Sequence, residues 1–480
     1  MRALPLLSLL VRLLLASVPA VLGANPGLVG RITDKGLEYV AQEGQVALQR
    51  KLQDITLPDF NENFKIKHVG KGNYELHSLD LRSFELHGTA LKPLPSHGLS
   101  LSIADSSVHV KGGWKVKVRR FLKLQGSIDL KVKGITITIN LMLGSEPSGR
   151  PTVTTSSCNS YIREVEVDLS GGLGWLVNMF HDKIEAKFRS TLEKKICEII
   201  NKSVASDLQP YLQTLPVTAK IDNFLDVDYS LVEAPRATAQ MLDVMFKGEI
   251  FYHDHRSPLP LLPPVLSLPE DHSRMVYFAI SDYTFNTASL VYYQAGYMNF
   301  SFTDDTIPPD SPFRLTTSSF RAFAPRIARL YPKMNLELRG GVVSAPLLKL
   351  SPGNLSVTLQ IEIEGFVLLP DSVKKSVFQL DVVTNVSATL TFNASRITGT
   401  LDPRKLHVEL KESKVGMFNV DLLEGFLNYF MLHSVYPEVN EKLAQGFPLP
   451  LLKRIQLYDL ILQIHKDFLF VGANVQYVRV

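Results

Sequence analysis

The stretch GLGWLVNMFHDKIEAKFRSTLEKKICEIINKSVAS, residues 172–206, sets Leu173, Leu176, Phe180, Ile184, Phe188, Leu192, Ile196, Ile199 and Ser203 three or four positions apart. That spacing keeps one apolar stripe on one face of a helix, and it predicts a single long helix over 172–206. The residues before it follow another period. Ser100–Ile103, Val108–Val110, Ile128–Lys133 and Ile135–Ile139 alternate apolar and polar side chains, as half-buried strands do. Before the strands, Asn25-Pro26 reads as a helix start, with Leu28, Ile32, Val40, Ala47 and Leu48 near helical spacing. A helix over 26–52 is expected there, weakened by Gly36 and Gly44.

The scheme returns downstream. A helix is expected at 318–331 (Phe320, Phe323, Ile327, Leu330), then strands such as Leu359–Ile363 and Val386–Phe392. A second long helix follows at 419–445 (Val420, Leu423, Phe426, Phe430, Val435, Val439, Leu443). Each long helix is followed by Leu-Pro punctuation, Leu212–Val217 in one case and Gly446–Leu451 in the other. Strands come next, at 221–231 and 455–478. The reading is an α+β chain built from two similar units. Between them Ser257–Pro269 holds five prolines, which exclude helix and internal strand and leave an extended, semi-rigid linker.

Residues 1–23 read as a secretory signal: Arg2, an apolar run from Leu4 to Val18 broken by Arg12, then small residues with Val21 and Gly23 placed for cleavage. The expected division is 1–23 signal peptide, 24–252 N-terminal domain, 253–272 linker and 273–480 C-terminal domain. A secreted, extracellular chain would pair its two cysteines, Cys158 and Cys197, closing a loop worth about 4 kcal/mol in the chain-entropy model. Five sequons, at Asn201, Asn299, Asn354, Asn385 and Asn393, are glycosylation candidates that agree with secretion.

The 480 residues carry a net charge of only +4, which excludes a histone-like polycation, and no nucleic-acid partner is expected. The charge is uneven: residues 24–220 are net +6 and residues 221–480 net −4. Residues 111–133 alone hold eight cations against Asp129. In Trp114-Lys115-Val116-Lys117-Val118-Arg119-Arg120-Phe121-Leu122-Lys123 cations interleave with apolar side chains. Lys and Arg bind phosphate by charge and multiple donors, so Lys115, Lys117, Arg119, Arg120 and Lys123 are the candidate phosphate ligands. Trp114 and Phe121 are the candidate interfacial anchors. No GxSxG elbow, HExxH helix or Walker loop is present, and two cysteines cannot build a Cys-rich zinc module. His253-Asp254-His255 lacks a third ligand in sequence. No catalytic residue, metal or dissociable cofactor is assigned.

Gly172–Leu176, Ser206–Pro216, Arg274–Tyr283 and the end, Gly472–Val480, together resemble the family of lipopolysaccharide-binding and bactericidal/permeability-increasing proteins, with plasma lipid-transfer proteins as distant members. The likeness covers the whole chain after residue 23. It implies an elongated boomerang of two barrel-and-long-helix domains joined by a central sheet to which 455–478 contribute. It also implies a single disulfide matching Cys158–Cys197, and apolar pockets that hold phospholipid acyl chains. The basic tip of the family's N-terminal domain falls on Trp114–Lys123, here one residue longer than the family pattern. The implied role is to bind lipid A at that tip, extract lipopolysaccharide monomers from the bacterial outer membrane or from aggregates, and pass them to a leucine-rich-repeat co-receptor on monocytes upstream of a Toll-like receptor. The resemblance leaves two other roles open: a membrane-disrupting antibacterial protein, which is expected to be far more cationic than +6 in its first half, and a plasma phospholipid-transfer protein.

Overall fold

The computed structural model describes residues 25–66, 70–95, 98–118, 122–171, 174–307, 309, 313–370, 372–393, 395–402 and 404–478. The expected signal peptide lies outside them. No helix among the described residues is long and apolar enough to cross a membrane.

The first domain is a long antiparallel sheet of β2 (Phe60–Ile66), β3 (Gly70–Glu85), β4 (Thr89–Leu94), β5 (Gly98–Val118), β6 (Leu122–Ser145) and β7 (Pro151–Leu169), ordered β2-β3-β5-β6-β7 with β4 on β5. Two helices cover it, α1 (Asp34–Gln53) and α2 (Gly174–Ser203), before the short α3 (Gln209–Leu212). The second domain repeats the plan. Its sheet runs β14 (Asn299–Thr303), β15 (Asn335–Val342), β17 (Asn354–Leu368), β18 (Lys374–Asn393), β19 (Arg396–Asp402) and β21 (Phe447–Pro448), with β16 (Leu348–Ser351) on β17 and β20 (His407–Ser413) on β18. Its helices are α5 (Thr317–Phe320), α6 (Pro325–Leu330), α7 (Val420–Phe430) and α8 (Tyr436–Gln445).

Between the domains lies a six-stranded antiparallel sheet in the order β10-β11-β1-β13-β23-β22. Its strands are β1 (Leu28–Ile32), β10 (Arg236–Ala237), β11 (Leu242–Phe246), β13 (Val276–Ser281), β22 (Ile455–Ile464) and β23 (Phe468–Tyr477). A three-stranded sheet, β8 (Thr218–Lys220), β9 (Leu225–Asp228) and β12 (Glu249–Tyr252), and α4 (Asp282–Gln294) pack beside it.

The buried stripe of α2 is Ile184, Phe188, Leu192, Ile196 and Ile200, continued by Val204 in the turn that follows, a step of four throughout. A strict step of four follows an oblique ridge of the helix surface, so α2 crosses the strands at a slant. The disulfide Cys158–Cys197 (Cα–Cα 5.7 Å) joins β7 to α2. Both long helical runs contain a π-turn, near the end of the first at Val204–Leu208 and midway along the second at Met431–Val435, each just ahead of a proline (Pro210, Pro437). Proline offers no N–H to the α ladder, and the wider turn absorbs the missing bond. This shared break is structural evidence for the repeat.

Three expectations need correction. The chain does not enter a helix at Pro26. Leu28–Ile32 is a strand paired on both edges, with β11 and β13, and the helix starts after Thr33, whose Oγ1 accepts from Gly36 N at 3.3 Å. Gly36 does not merely weaken that helix: a Cβ there would stand 2.4 Å from the Met275 carbonyl, so its absence lets α1 dock. The helix expected at 318–331 is two short ones, because Pro325 cannot donate back into the preceding turn. Helix α4 was not expected. Its buried face uses Tyr283, Thr284, Thr287 and Val291, two of them polar, which blurs apolar periodicity.

The proline-rich linker is pinned to the central sheet. Arg31 on β1 grips Asp243 on β11 bidentately (2.7 and 2.9 Å), and its third nitrogen donates to the Pro269 carbonyl at 3.1 Å. The pair is nearly buried, with side chains 12 % and 9 % exposed. Removing one partner leaves a buried charge unpaired, which costs about 3–5 kcal/mol. Arg31→Ala is expected to lower the thermal midpoint by that measure and to open residues 257–269 to limited proteolysis; a variant as resistant as the parent would refute the pinning.

Candidate functional site

The hairpin of β5 and β6 carries the basic stretch at its tip. Strand alternation sorts its residues. Trp114, Val116 and Val118 point into the domain core and are 4–6 % exposed, while Lys115 is half-buried and Lys117 exposed on the other face. Lys117 stands opposite Lys123, also exposed, and Lys115 opposite Gln125. Arg119, Arg120 and Phe121 lie outside the described residues.

Trp114 is therefore not an interfacial anchor. Its indole N–H donates to the Ser170 carbonyl at 3.0 Å, tying the hairpin to the chain that leads into α2. Gly126 faces it across the ladder, where a Cβ would collide with that same carbonyl. The alternation Trp114-Lys115-Val116-Lys117-Val118 already put the indole on the valine face.

The six described cations of 111–133 divide into two groups. Lys111 pairs with Asp129 (3.4 Å), Lys131 with Asp168 (3.9 Å) and Lys133 with Glu166 (2.5 Å). The Glu166 hydrogen bond raises the Lys133 pKa, and Lys133 in turn lowers that of Glu166. These three are spent along the sheet. Lys115, Lys117 and Lys123 form no salt bridge among the described residues, although the register sets Glu75 opposite Lys115.

Two further lysines join them. Lys65 on β2 faces Lys71 on β3, and both are exposed. Asn73, two residues along β3, faces Lys117. Lys71 and Lys117 are thus diagonal neighbours on one face, within about 7–8 Å by sheet geometry. Lys65, Lys71, Lys117 and Lys123 form a cationic face across four adjacent strands at one end of the sheet. The local signal was Phe64-Lys65-Ile66-Lys67, cation and apolar residue in alternation, but only strand register places it beside residues 50 positions away. The opposite end of the sheet meets the middle of the molecule, where Leu231 N donates to the Gly149 carbonyl at 2.9 Å.

A surface pocket of about 460 Å³ lies at the far end of α2, beside the disulfide. Thr154, Thr155, Ser156 and Ser157 line one wall, and Asn201, Val204 and Ala205 the other. Its strand wall is hydroxyl-rich rather than apolar. His253 is engaged by Asp226 (Nδ1–Oδ2 2.8 Å). On α2, His181, Asp182 and Glu185 bring one ligand atom each within 4.8 Å of one another, but Arg189 already holds Glu185. Of the sequons, Asn201, Asn299, Asn354 and Asn385 are exposed; the side chain of Asn393 lies outside the described residues.

The face and the anchor separate in experiment. Trp114→Ala should lose about 3–5 kcal/mol of stability, read by denaturant unfolding. Lys117→Gln with Lys123→Gln should stay within about 0.5 kcal/mol of the parent, as exposed substitutions do. The reverse order would move the structural role from the indole to the cations.

Family models match nearly all of the described chain. Residues 36–213 match the N-terminal domain of the LBP / BPI / CETP family and residues 219–477 its C-terminal domain. The human lipopolysaccharide-binding protein is 69 % identical over 479 residues, covering 100 % of this chain and 99 % of that one. The rat bactericidal permeability-increasing protein is 40 % identical, covering 96 % of each. A crystal structure of lipopolysaccharide binding protein superposes with a TM-score of 0.67 at 62 % identity, covering 95 % of this chain and all of that one.

Proposed function

This chain belongs to the LBP / BPI / CETP family, and on that premise we propose that it is a secreted carrier of bacterial lipopolysaccharide. The family is one of lipid-binding and lipid-transfer proteins, not of enzymes. The observation that carries the specific reading is the cationic face of Lys65, Lys71, Lys117 and Lys123, with Lys115 beside it. Lipid A carries phosphates, and a face of lysines free of carboxylate partners among the described residues meets them by charge and by multiple N–H donors. Arg119 and Arg120, between β5 and β6 in the sequence, add two cations, and Phe121 is the aromatic proposed to enter the lipid. The human relative's name, lipopolysaccharide-binding protein, supports the same ligand.

Acyl chains need shelter from water once a monomer leaves its aggregate. Each methylene is worth roughly 0.8 kcal/mol, so about twelve amount to roughly 10 kcal/mol. They would enter between α2 and β5–β7; Ile184, Phe188, Leu192 and Ile196 are closed against the sheet here, so the helix must lift to admit them, and phospholipid acyl chains would take the same place. The carrier extracts monomers from the bacterial outer membrane or from aggregates. It delivers them to a leucine-rich-repeat co-receptor on monocytes, which feeds a Toll-like receptor in innate immunity.

The test is transfer of fluorescent lipopolysaccharide from aggregates to the soluble co-receptor by the purified chain. Turnover beyond one equivalent, falling as salt rises, is expected. Each cation at an anionic lipid surface contributes about 1 kcal/mol. Lys65→Gln with Lys71→Gln should therefore weaken capture about thirtyfold. Tight binding without transfer would sink the carrier reading in favour of a membrane-disrupting protein.

A further inference from the structure

The second domain has its own free end. Near the molecule's middle its sheet is tied down: Gly353 N donates to the Ile464 carbonyl (3.0 Å) and Asp467 N to that of Leu350 (3.2 Å). At the other end three connections emerge. They are the segment holding α5 and α6, the turn between β17 and β18, and the turn between β20 and α7. Contacts fuse them into one surface. Asn419 N donates to the Phe323 carbonyl (2.7 Å), and Lys414 N to that of Val377 (2.9 Å). Arg326 packs against Gly416, and Lys375 lies over the Tyr331 ring at 5.6 Å.

The charge of the segment holding α5 and α6 is one-sided, while Asp371 and Asp421 belong to the other two connections. From 313 to 334 the sequence holds five cations and no carboxylate. Arg314 is taken by Asp304 (2.9 Å), and Lys374 by the buried Glu337 (2.6 Å). Arg321, Arg326, Arg329, Lys333 and Lys375 form no salt bridge among the described residues, and all are exposed. Among them stand Leu330, Val373 and Met417, which are 47 %, 54 % and 87 % exposed, one on each connection. A single exposed apolar side chain means little. Three on separate turns at one end, each beside a cation, match the chemistry of a lipid–water interface.

We propose that this end of the second domain is a membrane contact for anionic phospholipid, at the opposite end of the molecule from the lysine face of the first domain. Phosphate and carboxylate headgroups meet the arginines and lysines, and the three apolar tips enter the acyl boundary. A bilayer accepts projecting tips without a matching pocket, whereas a protein partner would have to supply one for each. An acidic polypeptide is the competing occupant.

The test uses the full chain with Lys65, Lys71, Lys115, Lys117, Arg119, Arg120 and Lys123 changed to Gln, so that the first domain's face is silent. Both native cysteines are paired, so Met417→Cys gives one thiol for an environment-sensitive dye. On phosphatidylcholine vesicles containing phosphatidylserine the dye should shift to the blue and be quenched by spin-labelled lipid. On phosphatidylcholine alone it should not. Adding Arg326→Gln and Arg329→Gln should cut partition about thirtyfold, at about fivefold per charge, with an unchanged melting midpoint. The proposal is overturned if the dye stays in water on vesicles that bind the chain, or if the arginine variants partition like their parent. Loss of polyglutamate binding with vesicle binding intact would equally overturn it and assign the surface to an acidic protein. The vesicles contain no lipopolysaccharide, so failure here leaves the transfer reading standing.

Discussion

Everything in this molecule hangs on β1, a five-residue strand hydrogen-bonded on both edges. One neighbour, β11, comes from the end of the first half; the other, β13, comes from beyond the linker and pairs in turn with β23 near the C-terminus. Leu28, Tyr277, Ala279, Ile280, Leu469, Val471 and Ala473 are buried without measurable exposure in this sheet. Neither half can complete it alone, since a sheet edge left open in an apolar interior strands its N–H and C=O groups. The Arg31–Asp243 pair and the hydrogen bond to Pro269 place the linker on the same strand. Once the sheet closes, each domain is held at one end and free at the other. The two cationic surfaces occupy those free ends.

The helical part of the fold was largely legible, and where it failed the reasons are local. From Ile184 to Ile196 the expected stripe is buried in the structure, and Ile200 and Val204 take the buried positions in place of Ile199 and Ser203; the side chains of Leu173, Leu176 and Phe180 lie outside the described residues. The half-to-half repeat, inferred from the order of helix, strands, helix and Leu-Pro, reappears in the paired π-turns before Pro210 and Pro437. Misreading 26–32 has a plain cause. A strand buried on both faces shows no alternation, and five residues with a glycine at the centre carry little signal of either period. Only its partners, more than 200 positions away, make it a strand.

The site was half legible. Composition found the hairpin, because eight cations in 23 residues are visible without any structure. Composition could not say which of them remain unpaired. Asp129, Asp168 and Glu166 take Lys111, Lys131 and Lys133 because the registers of β5–β6 and β6–β7 set acid beside base. Lys65 and Lys71 were hidden for the same reason, since their place beside Lys117 is a property of the ladder. Trp114 is the opposite case. The alternation around it held the answer, and an aromatic among cations drew attention to chemistry where packing was at work.

The separation of paired from unpaired lysines bears on how a lipid carrier can release its cargo. A cation already held by a carboxylate gains little from a phosphate, because the new contact replaces an old one. A cation held only by water gains more, and screening by salt weakens that gain readily. Exposed lysines on long stems also keep their conformational freedom until they bind, so their grip carries an entropic cost. A face built from several such groups captures an anionic headgroup quickly through its summed field and lets it go as each contact breaks in turn. A buried, bidentate clamp like Arg31 and Asp243 would bind more rigidly and turn over more slowly. The protein places its rigid ion pair in the central sheet, where the halves must not part, and its unpaired lysines at the free end, where the proposed headgroup contact would form and break.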